Sequence, residues 1–304
     1  MKETLNFGII GPGSHFKKNI APVLKKINKI KVIKYFGSSK KKDEETKKKL
    51  FFSNNLDFVY ISSPNKIHAK NILDSLNNGC HVICEKPFIT NKKDLRKIIL
   101  TAKKKSKLIF EVFSYIYHPA FIFIKKYLED KRKELLIVNS SFTIPFLNKN
   151  NNRYKKYLGD GFFFDTAVYP LSLEEFLFTS KKEVKLISKL NFKKNVPLKG
   201  NIFLSSNNIY KNYKWGEGQK YSNYIEIIGK NFSLFCDHIY SKKFNEEIIV
   251  EIIRNKNIKK LKFQTWSQFD LMFKDILKNF KKKDYKKKKI LEIKNNLKIR
   301  DKFN

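Results

Sequence analysis

The sequence predicts an α/β chain in two parts, a parallel-sheet domain over residues 1–117 and an α+β domain with a mostly antiparallel open sheet over 118–304. Three observations carry this. The first stretch alternates short apolar runs with segments of helical period, the pattern of strand–helix–strand units. After Pro119, strand-like runs follow one another without helices between them, which favours antiparallel pairing. A glycine-rich turn, Gly11-Pro12-Gly13, stands between the first strand and the first helix.

Leu5–Ile10 is an apolar run, read as a buried strand. Phe16, Ile20, Leu24 and Ile27 then share one helical face, with a kink expected near Pro22. Lys31–Phe36 reads as strand two and Asp57–Ser62 as strand three. Asn65 is expected to cap a helix carrying Ile67, Ile72, Leu73 and Leu76, which Gly79 closes. His81–Cys84 is a strand, Lys92–Lys104 a helix and Leu108–Phe113 a further strand. Beyond Pro119 come a helix near Ala120–Leu128, strands around Leu135–Phe146, and a helix at Phe162–Phe178. Strands alternate from Val184 to about Phe263, and Gln268–Phe280 is helical and amphipathic.

Composition excludes several classes. The 304 residues include 65 Lys+Arg against 28 Asp+Glu, a formal charge of +37, yet 41% are hydrophobic, too many for a disordered chain. No apolar run of about 18 residues spans a membrane, and the N-terminus lacks a secretory apolar stretch, so a cytoplasmic protein without a membrane partner is expected. Cys80, Cys84 and Cys236 are too few for a disulfide framework or a zinc site, and no metal is expected. The arginines are Arg96, Arg132, Arg153, Arg254 and Arg300, and the lysines are spread along the whole chain. A nucleic-acid reader concentrates basic groups on one element and favours Arg for base contacts. The charge therefore reads as compositional bias, and no specific nucleic-acid partner is expected. It would still draw anionic substrates.

Gly11, Gly13 and Ser14 stand where a dinucleotide pyrophosphate needs them, directly after a strand and at the opening of a helix. Phe16 replaces the third glycine of G-x-G-x-x-G, and a plain structural turn is the other reading. Strand two ends in Gly37-Ser38-Ser39-Lys40, without the carboxylate that would hold the NAD ribose hydroxyls. Ser38, Ser39 and Lys40 suit a 2′-phosphate, so NADP(H) is the preferred cofactor and NAD(H) the second option. In so lysine-rich a chain, Lys40 could equally carry no information.

Further along stand Ser63-Pro64-Asn65-Lys66-Ile67-His68, Glu85-Lys86-Pro87 and Glu111 through Pro119. Gly159-Asp160-Gly161-Phe162-Phe163-Phe164-Asp165-Thr166-Ala167-Val168-Tyr169 follows in the second half. Together these resemble the Gfo/Idh/MocA family of NAD(P)-dependent oxidoreductases. The resemblance implies an N-terminal Rossmann dinucleotide-binding domain, with Ser63, Pro64, Asn65, His68, Glu85 and Lys86 on the cofactor side. Helix packing is the other reading of His68. Tyr169 occupies the position of the family's histidine, as in the tyrosine subgroup that includes glucose–fructose oxidoreductase, dihydrodiol dehydrogenase and the NDP-hexose 3-ketoreductases. Trp215 through Lys230 looks most like the last of these.

The resemblance assigns Lys86 and Tyr169 to catalysis, and Asp165 to substrate or to orienting the catalytic group. Tyr115, Arg153 and Tyr221 are read as substrate contacts, Arg153 because one of few arginines in a polar loop suits a phosphate or carboxylate. Ketone reduction leaves negative charge on oxygen and needs a proton donor. Tyr169 can supply the proton. A phenol ordinarily titrates near pH 10, and a neighbouring ammonium such as Lys86 would lower that value. A cis peptide is expected before Pro87.

Two departures stand out. Little chain separates Phe36 from Asp57, where the family usually has an edge strand. Asp160 and the bulky Phe162–Phe164 replace small residues. The expected function is hydride transfer to or from a sugar carbonyl or hydroxyl, most specifically a nucleotide-linked ketosugar of surface-glycan synthesis, in a homodimer or homotetramer. The alternative is a non-catalytic NADP- or sugar-binding regulator that retains the fold.

Overall fold

The computed structural model describes residues 4–37, 44–154, 161–178, 185–193, 196–206, 208–218, 220–241, 247–264 and 268–303. Ser38, Ser39, Lys40 and Asp160 lie outside them. The chain divides into two compact units, Met1–Phe113 with Phe269–Asp301, and Ser114–Gln268 with the last three residues.

In the first unit, among the described residues, the apolar runs become five strands: β1 Leu5–Ile10, β2 Ile30–Phe36, β3 Phe58–Ile61, β4 His81–Glu85 and β5 Ile109–Val112. All pair in parallel, in the order β2-β1-β3-β4-β5. Parallel neighbours need crossovers, supplied here by the helices Ala21–Lys26, His68–Asn77 and Lys92–Lys104 among others. All residues of β3 and β5 are buried, as strands covered on both faces should be. β2 ends the sheet. The doubly wound order places a further strand outside the second, whereas here the helix Glu44–Phe52 leads from β2 to β3.

Two prolines shape the helices. The turns Phe16–Ile20 and Phe163–Ala167 are wound one residue wider than an α-helix, just before Pro22 and Pro170. Proline has no N–H, and its ring clashes with the carbonyl four residues back. Those carbonyls, Lys18 and Thr166, lie inside the widened turns. Asn65 does not cap its helix as expected. It opens a short 3₁₀ turn, Asn65–Ile67, and no side chain caps the helix that follows. Asn91 is a true cap, its side chain accepting from the Asp94 N–H.

The division expected at 117/118 needs correction. The segment Phe269–Asp301 returns to the first unit instead of completing the second. Its long helix, Lys283–Arg300, was not anticipated. The residues it buries, Lys289, Ile293, Asn296, Leu297 and Arg300, are largely polar, so no apolar stripe marks it.

Among the described residues, the second unit carries eight strands: β6 Leu135–Pro145, β7 Lys185–Lys193, β8 Val196–Ser206, β9 Ile209–Gly218, β10 Ser222–Gly229, β11 Ser233–Asp237, β12 Ile248–Arg254 and β13 Asn257–Phe263. Their order is β13-β12-β11-β10-β6-β9-β8-β7, antiparallel except for the parallel pair β6–β9. The helical segment from Phe163 to Phe178 packs on the inner face, where Phe163 meets the Trp215 ring edge-on at 5.3 Å. Among the described residues, no helix is long and apolar enough to cross a membrane.

Candidate active site

In the first unit, three adjacent strands end together. β1 delivers Gly11-Pro12-Gly13-Ser14, β3 delivers Ser63-Pro64-Asn65, and β4 ends at Glu85 before Lys86. The carboxyl edge of a parallel sheet is where such folds bind nucleotides. Gly11 has φ +71°, and a Cβ there would lie 2.7 Å from Ser63 N, so the turn requires glycine. Gly13 differs: it is exposed, and a Cβ there would meet nothing nearer than 4.0 Å. The chain itself does not demand Gly13, but an anion approaching the helix start closely would. Exposed Gly13 and Ser14, with a bare backbone edge, therefore fit a dinucleotide.

Glu85 is held by its neighbours. The Tyr60 hydroxyl donates to Oε1, and His15 Nε2 stands 3.3 Å from the same oxygen. Burial raises the Glu85 carboxyl, but the His15 and Tyr60 hydrogen bonds and the charges of His15 and Lys86 outweigh it and hold it below its ordinary value. Lys86 is half-buried and precedes a cis bond to Pro87.

His68, expected on the cofactor side, is fully buried. Its Nδ1 lies 2.9 Å from the Pro87 carbonyl and Nε2 2.8 Å from the Ser63 carbonyl. It joins the two loops and has no surface to offer a ligand, so the assignment is corrected from contact to support. Ser63 is also nearly buried, with its hydroxyl accepting from Asn71 Nδ2 at 3.1 Å. Pro64 is exposed and Asn65 half-buried.

In the second unit, Asp165 and Tyr169 are half-exposed while Phe162–Phe164, Thr166–Val168 and Pro170–Leu173 are buried. Four residues apart, they share the open side of this segment. The Tyr169 ring lies 4.5 Å from that of Phe142, which is 6.2 Å from Tyr221. Arg153 Nε donates to Asp165 Oδ2 at 2.5 Å, with both side chains partly exposed. Arg153 and Asp165 thus form one charged unit.

Tyr115, expected to touch substrate, is 0% exposed and shares a 2.6 Å hydrogen bond with Ser172 Oγ. Burial pushes its phenol well above the ordinary value. It is part of the floor beneath Tyr169, with ring centroids 6.2 Å apart. Sequence reasoning missed His15, Tyr60 and Tyr240. His15 occupies an unspecified position of the G-x-G-x-x-G stretch and the two tyrosines lie in no spaced motif, so only the fold brings them to Glu85 or Tyr169.

Residues 5–113 match the profile of an oxidoreductase family with an NAD-binding Rossmann fold, Gfo/Idh/MocA. The match is confined to the stretch that forms the first parallel sheet. The dTDP-3,4-didehydro-2,6-dideoxy-alpha-D-glucose 3-reductase of Actinomadura kijaniata is 25% identical over 219 residues, which are 71% of this chain and 66% of that protein. The enzyme of the same name from Streptomyces violaceoruber is 25% identical over 66% of this chain and 60% of its own length. The matches thus span about two thirds or less of these relatives' own length. In fold the likeness runs further: KijD10, a 3-ketoreductase from Actinomadura kijaniata in complex with NADP and TDP-benzene, superimposes with a TM-score of 0.87. That match covers 98% of this chain and 96% of KijD10 at 19% identity, so it speaks to fold alone.

Proposed function

We propose that this chain is an NADP(H)-dependent oxidoreductase that reduces the ketone of a nucleotide-linked sugar. The observation that carries the reading is the meeting of Gly13-Ser14, Ser63-Pro64-Asn65 and Glu85-Lys86 at the carboxyl ends of three adjacent strands. The relatives named as 3-reductases of a dTDP-linked ketosugar supply the substrate class. A bound nicotinamide would supply the hydride.

The chain's own residues do the rest. Gly11 and Gly13 let the backbone approach a pyrophosphate, and the first N–H groups of the following helix face it. Tyr169 hands a proton to the ketone oxygen as negative charge develops there. Lys86, by the family resemblance, would carry the positive charge that stabilises a deprotonated phenol. Asp165, paired with Arg153, orients the sugar hydroxyls. Ser38, Ser39 and Lys40 take the 2′-phosphate, which gives the preference for NADP(H). The reading includes a cytoplasmic location and a role in glycan synthesis.

It also includes self-association through the open face of the second sheet. Ile137, Phe203, Phe235, Ile249, Ile253 and Ile258 are exposed there, and strand register puts them on one side. Rows of this kind mark interaction surfaces.

The test is NADPH oxidation with dTDP-3,4-didehydro-2,6-dideoxy-α-D-glucose, beside equilibrium binding of NADPH and NADH. Turnover is expected, with NADPH bound several-fold more tightly. Replacing Ser39 with Asp should reverse that preference by repelling the 2′-phosphate. Tight NADPH binding without turnover on any ketosugar would favour the non-catalytic regulator instead.

A further inference from the structure

The three residues after Lys86 have backbone groups held by side chains from distant parts of the first unit. The Pro87 carbonyl faces His68 Nδ1 at 2.9 Å. The Phe88 N–H donates to Glu111 Oε1 at 2.8 Å. The Ile89 carbonyl accepts from Arg300 Nη2 at 3.2 Å. Glu111 also accepts from Arg300 Nη1 at 3.0 Å and from Asn296 Nδ2 at 3.2 Å. The Arg300 and Glu111 side chains are 2% and 3% exposed. Arg300 and Asn296 come from the last turns of the helix Lys283–Arg300.

Stability is a poor reason for this arrangement. A buried ion pair loses its hydration, and a well-packed apolar pair of similar volume often serves as well or better. Direction is what the pair offers. The Arg300 fork gives one N–H to the carboxylate and another to a backbone carbonyl, and its planar geometry fixes both. Glu111 divides its oxygens between that fork, Asn296 and a backbone N–H. The backbone just after Lys86 is thereby tied to β5 and to the C-terminal helix.

We propose that Glu111 and Arg300 are positioning residues for Lys86: by fixing the backbone at Phe88 and Ile89, they set where the Lys86 side chain starts. The C-terminal helix then belongs to the catalytic machinery although none of its residues touches a reacting atom. The inference rests on the reading of Lys86 given above.

The experiment compares the full-length parent with Arg300→Met, Arg300→Lys and Glu111→Leu/Arg300→Met. The double variant removes both charges together and so keeps the protein foldable if Arg300→Met alone strands Glu111. Amide hydrogen exchange at Phe88, NADPH affinity, and kcat and KM with the dTDP-linked ketosugar are measured on each folded variant.

Without the pair, exchange at Phe88 should quicken at least about tenfold, and kcat should fall about 10- to 100-fold, the scale of a small misplacement. NADPH affinity should stay within about twofold, and Arg300→Lys should recover part of kcat. A purely structural role would lower the melting temperature and leave exchange at Phe88 and kcat at parental values, which would overturn the inference. Lys86→Met is run alongside. Full turnover in Lys86→Met would remove the reading of Lys86 and this inference with it. Lost turnover in Lys86→Met, with none lost when the pair is removed, would sink the inference alone.

Discussion

Tyr169 and Asp165 are the half-exposed residues of a helical stretch otherwise buried from Gly161 to Leu173, and exposure at that depth is what a working group needs. Replacing Tyr169 with Phe should lower turnover by about 10²–10⁴-fold, the scale of general acid catalysis, with NADPH affinity nearly unchanged. Lys86→Met should lose a comparable amount. If the two act as one unit, the double variant is scarcely worse than either single. Near-parental turnover in Tyr169→Phe would end its assignment as proton donor.

The two loop glycines make opposite predictions. Gly11→Ala forces a Cβ against the Ser63 backbone at positive φ and should destabilise the fold by roughly 2 kcal/mol or more. Gly13→Ala should leave the melting temperature almost unmoved and weaken NADPH binding. Denaturant unfolding and cofactor titration on the same two proteins separate these effects.

His81 gives a pH signature. Burial first, then the charges of Lys107 and Lys286, push it down to about 3, while its Nδ1 accepts the Leu108 N–H at 2.9 Å. Unfolded, the ring titrates near 6.5. Between those values the unfolded chain binds a proton that the folded chain refuses. The contribution is therefore complete above about pH 6.5 and drains away toward pH 3, by up to ~1.4 kcal/mol per pH unit. His81→Leu should be less stable at neutral pH but lose less on acidification, as read from urea midpoints at pH 5, 6 and 7. An unchanged slope would refute the assignment.

At the scale of elements, the strands and helices of the first half were legible because apolar runs and helical periods dominate there. Leu5–Ile10 and Lys92–Lys104 fall where the sequence put them. The short span between Phe36 and Asp57 also carried information, since among the described residues β2 stands at the edge of the sheet. What the sequence concealed were elements whose buried faces are polar. Lys283–Arg300 reads as a lysine run because Lys289 buries its stem over Phe110, with Nζ 4.9 Å from the ring centre, and Asn296 and Arg300 sit inside. Spaced motifs located Lys86, Asp165 and Tyr169 but could not report depth. Tyr115 and His68 share those motifs and prove to be interior supports.

The whole molecule carries +37 charges and still exposes an apolar strip on the second sheet, flanked on the same face by Glu226, Glu251, Lys260 and Lys262. Monomers kept apart by charge would have no use for such a strip. Sedimentation of the parent should show a dimer or larger species, and Phe203→Lys/Phe235→Lys should yield monomers with unchanged NADPH affinity. A parent that is monomeric at micromolar concentration would refute self-association through this face.

The bond from Arg300 to Glu111 joins positions 189 residues apart. Synthesis at about 5–20 residues per second puts on the order of 10–40 s between the emergence of the two. During that interval the chain has made every strand of its first sheet but not the helix that steadies the loop after Lys86. The second unit, written in between, has its strands in hand by Phe263 and can settle earlier. The first domain to leave the ribosome is thus the last to be finished, and a chain that stops after residue 268 would carry the second unit without its last three residues on a first unit that lacks its whole closing segment.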